Sequence, residues 1–228
     1  MAIKIEKATE LAKTSGVKVL LYAASGVGKT TQFKHTGKTI LISLESGELV
    51  LSDAENVDVV RAKNLAEIRE AYEYVRDNIS QYDTVGVDSL SELSEAIVAE
   101  LKRMPEYSDA KDTFKLWGKY TEIITQIAKS FRDLDGINVV LVALEESVKS
   151  GFEEKIMPSI AAKKAQAKLP SLYDEVLYLR VSDDGTREFV CQPTAEIVAK
   201  DRSGKLNEVE PCSPEQGLEY IFKKIKGK

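Results

Sequence analysis

The clearest chemistry in the sequence lies in a short run of small residues, glycines, one lysine and two threonines. The run is Ala23-Ala24-Ser25-Gly26-Val27-Gly28-Lys29-Thr30-Thr31, and it follows the pattern G-x-x-x-x-G-K-[ST] at all but its first position. Glycines let the backbone curl so that its N–H groups face phosphate oxygens. In such a loop the lysine reaches the β- and γ-phosphates, and the next hydroxyl ligates magnesium. The run predicts a P-loop for ATP with Mg²⁺, its contact residues being Ser25, Gly26, Val27, Gly28, Lys29, Thr30 and Thr31.

One position departs from this pattern, because Ala23 stands where the first glycine is expected. That glycine begins the turn and is the least tied to phosphate contact. The alternative interpretation is a chance Gly-Lys-Thr in a surface turn. However, the apolar run Val17 to Tyr22 predicts a buried strand before the loop. A helix is predicted from Lys29 onward, with its positive dipole end towards the phosphates. This context favours the P-loop.

A carboxylate at the end of another predicted strand offers a metal ligand. Asp88 closes the run Asp83 to Asp88, and a carboxylate in this Walker-B position orients magnesium, usually through a water. The predicted metal site is therefore Thr30 with Asp88. The alternative is that Asp88 or Ser89 only caps the helix that follows.

A second carboxylate offers a catalytic base. Glu45 directly follows the predicted strand Thr39 to Leu44, where it could orient and activate an attacking water. Glu48 is the nearby competitor for this role, and a solvated loop glutamate is the simpler alternative.

Two cations lie far from these motifs in sequence, in Lys200-Asp201-Arg202-Ser203-Gly204. With one residue between them, Lys200 and Arg202 could reach a γ-phosphate together, and an arginine can complete the phosphoryl-transfer site of a neighbouring subunit. A basic surface turn is the alternative.

The elements that must position these residues alternate between strands and helices. Apolar runs predict strands, apolar residues at helical spacing predict helices, and Asp184-Gly185 predicts the turn of a C-terminal hairpin. The fold class is therefore α/β, a mostly parallel sheet with helices on both faces and a C-terminal β-hairpin, in one domain of residues 1–228. The predicted strands are 17–22, 39–44, 57–60, 83–88, 137–144, 175–181 and 188–192, and the predicted helices 65–75, 89–101, 114–134 and 218–225.

Composition restricts the class of protein. With 43% hydrophobic and 30% charged residues, the chain is expected to be globular, and no apolar run is long enough to cross a bilayer. The N-terminus lacks a signal-peptide core, which predicts a cytoplasmic protein. Cys191 and Cys212 are far apart and are predicted to be ordinary thiols. The net charge of −5 argues against DNA binding by the whole surface, so that any such contact needs a local basic segment or an assembly.

The order of the motifs resembles the RecA-like ATPase core, and most closely short phage RecA-like proteins described as AAA-type ATPases, some of which are Sak-type single-strand annealing or recombination proteins. The resemblance covers nearly the whole chain. It rests on the P-loop, on Leu44-Glu45-Ser46-Gly47, on Val87-Asp88-Ser89 and on residues 169–176, while residues 200–204 are similar to the K-x-R-x-G element of RadA- and DnaB-type relatives. The family implies a cytoplasmic location in a bacterial host, if the protein is phage-encoded.

The resemblance implies roles for several residues. Glu45 would be the catalytic base, and Lys200 and Arg202 would act in trans on the nucleotide of a neighbour, in a ring or filament with ATP between subunits. It also implies a slow or DNA-stimulated hydrolase that binds single-stranded DNA through loop 146–168, which contains Lys149, Lys155, Lys163, Lys164 and Lys168. A polar sensor follows the strand that ends at Leu144; RecA has glutamine there, whereas this chain has Glu145 and Glu146.

Two other functions stay open. The first is a P-loop switch or assembly protein that uses ATP to change partners and never binds DNA, which the negative charge favours. The second is a small-molecule kinase, which often closes an arginine-rich lid over the phosphates. Arg180, Arg187 and Arg202 are not clustered in sequence, and the kinase therefore ranks last.

Overall fold

The fold is organised around one twisted sheet. The computed structural model describes residues 5, 7, 9–10, 15–107, 113–150 and 153–227. Ten strands belong to the sheet: β1 (Lys18–Ala23), β2 (Thr39–Ser43), β3 (Val57–Arg61), β4 (Thr84–Asp88), β5 (Asn138–Ser150), β6 (Glu153–Pro158), β7 (Glu175–Val181), β8 (Arg187–Val190), β9 (Lys200–Asp201) and β10 (Val209–Pro211).

The centre of the sheet is parallel, in the order β7-β1-β5-β4-β2-β3. β8 and β10 extend it antiparallel beyond β7, while β6 pairs with the end of β5 and β9 with the start of β7. Because the central strands are parallel, the carboxyl ends of β1, β2 and β4 lie at one edge, which we call the P-loop edge.

Helices cover both faces of this sheet. The α-helices are α1 (Leu65–Asp77), α2 (Leu90–Arg103), α3 (Thr113–Arg132), α4 (Lys163–Leu172) and α5 (Gly217–Lys226). Alternate residues of β1 point to opposite faces: Leu20 and Tyr22 pack with α1 to α4, whereas Leu21 and Ala23 pack with α5 and the segment around Phe33. Both faces are apolar for this reason, and the predicted α/β class is confirmed.

Two predicted elements differ from the structure. The helix after Lys29 is a short 3₁₀ helix, Thr30–His35, because two β-branched threonines and the left-handed Gly37 (φ 73°) leave little room for a longer α-helix. The predicted loop 146–168 is mostly a β-hairpin followed by α4. Gly151 and Phe152 at its tip lie outside the described residues. One domain of residues 1–228 stays a prediction.

Further predictions concern the thiols and the membrane. Cys191 and Cys212 are both buried and free, as expected of ordinary thiols. In the part of the chain that the structure describes, no helix combines the length and the apolar character needed to cross a bilayer.

Candidate functional site

The P-loop leaves the sheet at the end of β1 and returns into the 3₁₀ helix. Gly26 (φ 79°) and Gly28 (φ 108°) lie in the left-handed region that other residues rarely adopt. Ala23, in contrast, is the last residue of β1, paired with Leu144 and fully buried. The missing first glycine is therefore a strand position, where an alanine methyl packs without backbone strain.

Lys29 is folded back into the loop. Its Nζ donates hydrogen bonds to the carbonyl oxygens of Ala23 at 3.0 Å and Ala24 at 2.7 Å, and the residue is only 7% exposed. Burial lowers the pKa of Lys29, while the nearby carboxylates of Asp88 and Glu45 raise it. A buried ammonium held by two neutral carbonyls can exchange them for anionic oxygens at a gain, because charge-assisted hydrogen bonds are the stronger ones.

Thr30 and Asp88 meet across the P-loop edge. The Thr30 hydroxyl donates to Asp88 Oδ2 at 2.6 Å, and Asp88 ends β4 beside Ser43 of β2. Ser89 caps α2 by accepting from the Glu92 N–H at 3.3 Å. The capping alternative therefore applies to Ser89, and the Asp88 carboxylate faces Thr30 instead.

The surroundings of the Asp88 carboxylate disfavour its charged form. The residue is 3% exposed, and burial raises its pKa to about 6 despite the Thr30 hydrogen bond; repulsion by Glu45 adds to the shift. A cation beside it would relieve this cost, and magnesium prefers hard oxygen donors such as a carboxylate and a hydroxyl. Among the described residues, no cluster of three or more His, Cys, Asp or Glu encloses a metal. Thr30 and Asp88 would supply two oxygen ligands, and magnesium in proteins usually keeps several waters as well.

Glu45 and Glu48 have different surroundings. The Glu45 backbone N–H and that of Leu44 reach the Asp88 carbonyl at 3.4 and 2.7 Å, which places Glu45 at the P-loop edge, where its carboxylate accepts a hydrogen bond from Ser89. Glu48 accepts from Ser43 at 3.0 Å and from two nitrogens of Arg61 at 3.0 and 3.3 Å. Its pKa is lowered, first by its own backbone N–H and then by Arg61. Of the two, Glu45 lies at the P-loop edge beside Ser89, whereas Glu48 is bound to Arg61.

A comparison with family models covers most of the chain. Residues 15–203 match the family described as AAA domain, a span that includes the P-loop, Glu45, Asp88 and the Lys200/Arg202 pair. The chain belongs to the AAA domain family.

Two further comparisons add little. No curated protein matches the chain. Among solved structures, a KaiC-like protein from the archaeon Pyrococcus horikoshii OT3 is similar at 13% identity and a TM-score of 0.46, over 89% of this chain and 88% of that one.

Within the AAA domain, the two glutamates after Leu144 differ in their contacts. Glu146 accepts a hydrogen bond from Gln166 at 2.9 Å. The Glu145 carboxylate lies close enough to Lys29 to raise the pKa of that lysine. Burial raises the pKa of Tyr178 to about 12, and Glu145 adds to this shift. Among described atoms, Glu145 Oε2 is buried without a hydrogen-bond partner. Glu145 is therefore the member of the pair that faces the P-loop.

Lys200 and Arg202 lie away from the P-loop of their own AAA domain. β9 pairs with the start of β7, and Glu175 there lies beside Val19, four residues or roughly 13 Å before the end of β1. Lys200 donates to carbonyls at the end of α4, including Pro170 at 3.3 Å, and Arg202 forms an ion pair with Asp174 at 2.9 Å. The structure thus does not bring this pair together with Lys29; both side chains bind the end of α4 and the two residues that follow it in their own chain.

The lysines of the predicted DNA loop separate into two groups. In the hairpin, Lys149 lies 3.7 Å from Glu154, which also accepts from Ser147. Lys163 and Lys164, at the start of α4, are exposed and line a groove of about 420 Å³ with Phe114 and Trp117. The expected single basic loop is therefore a partly neutralised hairpin and a separate basic helix end.

One arginine near the P-loop was missed by the sequence motifs. Arg187 begins β8, and its Nε donates to the Val27 carbonyl at 2.7 Å. The Asp184-Gly185 turn predicted the hairpin, but placing Arg187 also needed the pairing of Val181 with Arg187 and of β7 with β1. A sequence pattern does not give that register.

Proposed function

We propose that this chain binds and hydrolyses ATP at the P-loop edge. The observation that carries the proposal is the Thr30–Asp88 contact of 2.6 Å beside a buried Lys29, with Glu45 on the same edge. Phosphoryl transfer needs this set: a cation for the phosphates, oxygens for a metal and a base for water.

Each residue has one task in this proposal. The backbone N–H groups of residues 25–31 hold the phosphates, and Lys29 leaves the Ala23 and Ala24 carbonyls to bind the β- and γ-phosphates. Thr30 and Asp88 would hold magnesium, which supplies charge neutralisation of the triphosphate when bound. Glu45 orients the attacking water and takes its proton, and Ser89 fixes the direction of that carboxylate.

Asp88→Asn tests the metal site, because it should stabilise the nucleotide-free protein and weaken the magnesium-dependent binding of ATP. Folded Asp88 keeps its proton up to about pH 6, against a usual pKa of 3.8; ionisation therefore costs the nucleotide-free fold about 3 kcal/mol at pH 7. Well below pH 3.8, Asp88 is protonated in the folded and in the unfolded state, and this cost of ionisation disappears. We expect Asp88→Asn to raise the free energy of unfolding of the nucleotide-free protein at pH 7, with a smaller gain at pH 5, measured by urea denaturation.

The same variant should lose magnesium-dependent ATP affinity, measured by calorimetry with and without Mg²⁺. A variant that is no more stable than the wild type at pH 7 would contradict the electrostatic argument. One that still binds ATP more tightly with Mg²⁺ than without it would contradict the metal assignment.

We further propose that the active form is a ring or filament in which ATP lies between subunits. Lys200 and Arg202 lie away from their own P-loop, because β9 pairs with the start of β7. Leu49, four residues after Glu45 in the sequence, is 90% exposed, and in this proposal the neighbouring subunit covers it.

Mixing two inactive variants tests this arrangement. Arg202→Ala keeps an intact P-loop but supplies no arginine to its neighbour, whereas Glu45→Gln supplies Arg202 but lacks the base. If Arg202 acts in trans, each variant alone should be at least tenfold slower than the wild type, and an equal mixture should regain turnover. The control is a mixture of Glu45→Gln with Lys29→Ala, which should stay inactive. An Arg202→Ala protein with wild-type turnover would exclude the trans role.

The process served by hydrolysis is proposed to be DNA recombination or single-strand annealing, with hydrolysis stimulated by single-stranded DNA. The groove at the start of α4 supports this: Phe114 is 89% exposed, and Lys163 and Lys164 line the same groove. Aromatic rings stack on bases and lysines contact phosphates.

The DNA proposal is tested by replacing the groove residues. Phe114→Ala combined with Lys163→Glu and Lys164→Glu should weaken binding of an oligothymidylate, measured by fluorescence anisotropy with ATP and Mg²⁺, by about tenfold or more. The control is Lys38→Glu, an exposed lysine at the opposite edge of the sheet. A wild-type protein that binds no oligonucleotide would favour the second candidate, an ATP-dependent switch or assembly protein, which the net charge of −5 supports.

A further inference from the structure

Arg187 reaches the P-loop from the C-terminal hairpin. Val181 at the end of β7 pairs with Arg187 at the start of β8, and β7 runs parallel to β1 with Tyr178 beside Tyr22. The hairpin therefore extends past the point where the P-loop leaves β1. The Arg187 side chain crosses this gap, and its Nε donates to the Val27 carbonyl at 2.7 Å.

Two donors converge above Gly28. A Cβ atom placed on Gly28 would lie 3.3 Å from Arg187 Nε and 3.7 Å from Thr31 Oγ1. Thr30, the preceding residue, faces Asp88 on the other side. The two consecutive threonines thus have different neighbours, Asp88 for Thr30 and Arg187 for Thr31. The metal and the γ-phosphate are expected beside Thr30, and the opposite end of the phosphate chain beside Thr31 and Arg187.

The space beyond Arg187 is open. A cavity of about 160 Å³ lies beside Gly28 and Thr31, with His35, Arg187 and Pro214 in its walls. It shares Arg187 and Pro214 with a groove of about 540 Å³ along the hairpin. Gln32 is already engaged, since its Nε2 donates to the Gly28 carbonyl at 3.2 Å and its Oε1 accepts from Cys212 at 3.6 Å. The exposed Arg187 is the charged side chain that borders both spaces.

We infer that Arg187 binds the α-phosphate of the nucleotide and that the cavity beside it holds the nucleoside; this rests on the proposed ATP binding at the P-loop. A guanidinium has five N–H donors, and the Val27 carbonyl uses one of them. The remaining donors can form charge-assisted hydrogen bonds with a phosphate. Since Lys29, Thr30 and Asp88 fix the other end of the triphosphate, the nucleoside has to leave the loop on the side of Thr31, where the cavity lies.

Calorimetric titration with ATP, ADP and inorganic triphosphate tests the inference. Arg187→Ala should weaken ATP and ADP binding at least tenfold, and Arg187→Lys, which keeps a charge but loses the fork, should weaken it less. The matched control is Arg180→Ala on the same hairpin, where Arg180 pairs with Glu188 at 2.7 Å; it should bind ATP within twofold of the wild type.

A second variant tests the nucleoside cavity. Pro214→Trp places a large ring in the space that both cavities share; it should weaken ATP binding at least tenfold while inorganic triphosphate binds within threefold of the wild type. The inference is overturned if Arg187→Ala binds ATP as the wild type does, or if Pro214→Trp leaves ATP affinity unchanged. A wild-type protein that binds neither ATP nor triphosphate would overturn the proposed function itself, and the role of Arg187 with it.

Discussion

Replacing Lys29 by alanine is expected to abolish ATP hydrolysis and to weaken ATP binding strongly. In the nucleotide-free protein the Lys29 ammonium is buried and held by the Ala23 and Ala24 carbonyls at 3.0 and 2.7 Å. In the proposed complex it binds the β- and γ-phosphates, where charge develops during transfer. Loss of one donor of this kind costs about 10²- to 10³-fold in kcat, and loss of a full charge should cost at least as much.

The fold should tolerate this change. Burial lowers the pKa of Lys29, so that its charged form is disfavoured in the nucleotide-free protein, and alanine removes that cost together with two hydrogen bonds. The matched control is Lys34→Ala on the same 3₁₀ helix, where Lys34 pairs with the exposed Asp53. Phosphate release and thermal melting of both variants check the prediction; a Lys29→Ala protein that melts like the wild type and still turns over would refute the role of Lys29.

Glu45→Gln is expected to separate binding from chemistry. Glutamine keeps the size of the side chain and can still hydrogen-bond Ser89, but it cannot take a proton from water. A general base typically contributes 10²- to 10⁴-fold, so kcat should fall by about 100-fold or more. ATP affinity should stay within about threefold of the wild type, because no contact to the phosphates is assigned to Glu45.

Glu48→Gln is the matched control for Glu45→Gln. The two glutamates lie three residues apart, but Glu48 is held by Ser43 and Arg61. We expect Glu48→Gln to keep kcat within about threefold and to lose some stability, since the low pKa of Glu48 shows that its charged form is favoured in the fold. If Glu48→Gln were the inactive variant and Glu45→Gln the active one, the assignment of the base would have to be reversed.

Much of the fold and one half of the site could be predicted from the sequence. Central parallel strands are buried on both faces, so that runs such as Val139 to Leu144 are apolar throughout and easily recognised. The P-loop and the carboxylate of Asp88 lie directly at strand ends, where position in sequence translates into position in space. For the same reason the sequence predicts that Thr30 and Asp88 lie close together, as their contact of 2.6 Å confirms.

The other parts of the fold and of the site depend on strand pairings between segments that are distant in sequence. The hairpin of β5 and β6 carries charged residues on both faces, as in the consecutive Glu154 and Lys155, and its polarity resembles that of a loop. Lys200 lies at the far edge of the sheet because β9 pairs with the start of β7, which two residues of strand do not reveal. Arg187 reaches Val27 only because two strand registers add up.

The proposed site has a defined order along the phosphate chain. Glu45, Asp88 and Thr30 lie at the end where the γ-phosphate is expected, Lys29 lies within the loop, and Arg187 closes the other end. This order makes the predicted variants separable: Glu45→Gln should affect chemistry, Arg187→Ala should affect nucleotide binding, and Arg202→Ala should matter only in an assembly.

The most direct test of the central claim is phosphate release from ATP in the presence of Mg²⁺ by the wild type and by Lys29→Ala, purified side by side, with and without single-stranded DNA. We predict repeated turnover by the wild type, faster with DNA, and release at background level by the variant under both conditions. Equal rates in the two preparations, or no release by a wild-type protein that binds ATP, would contradict the account.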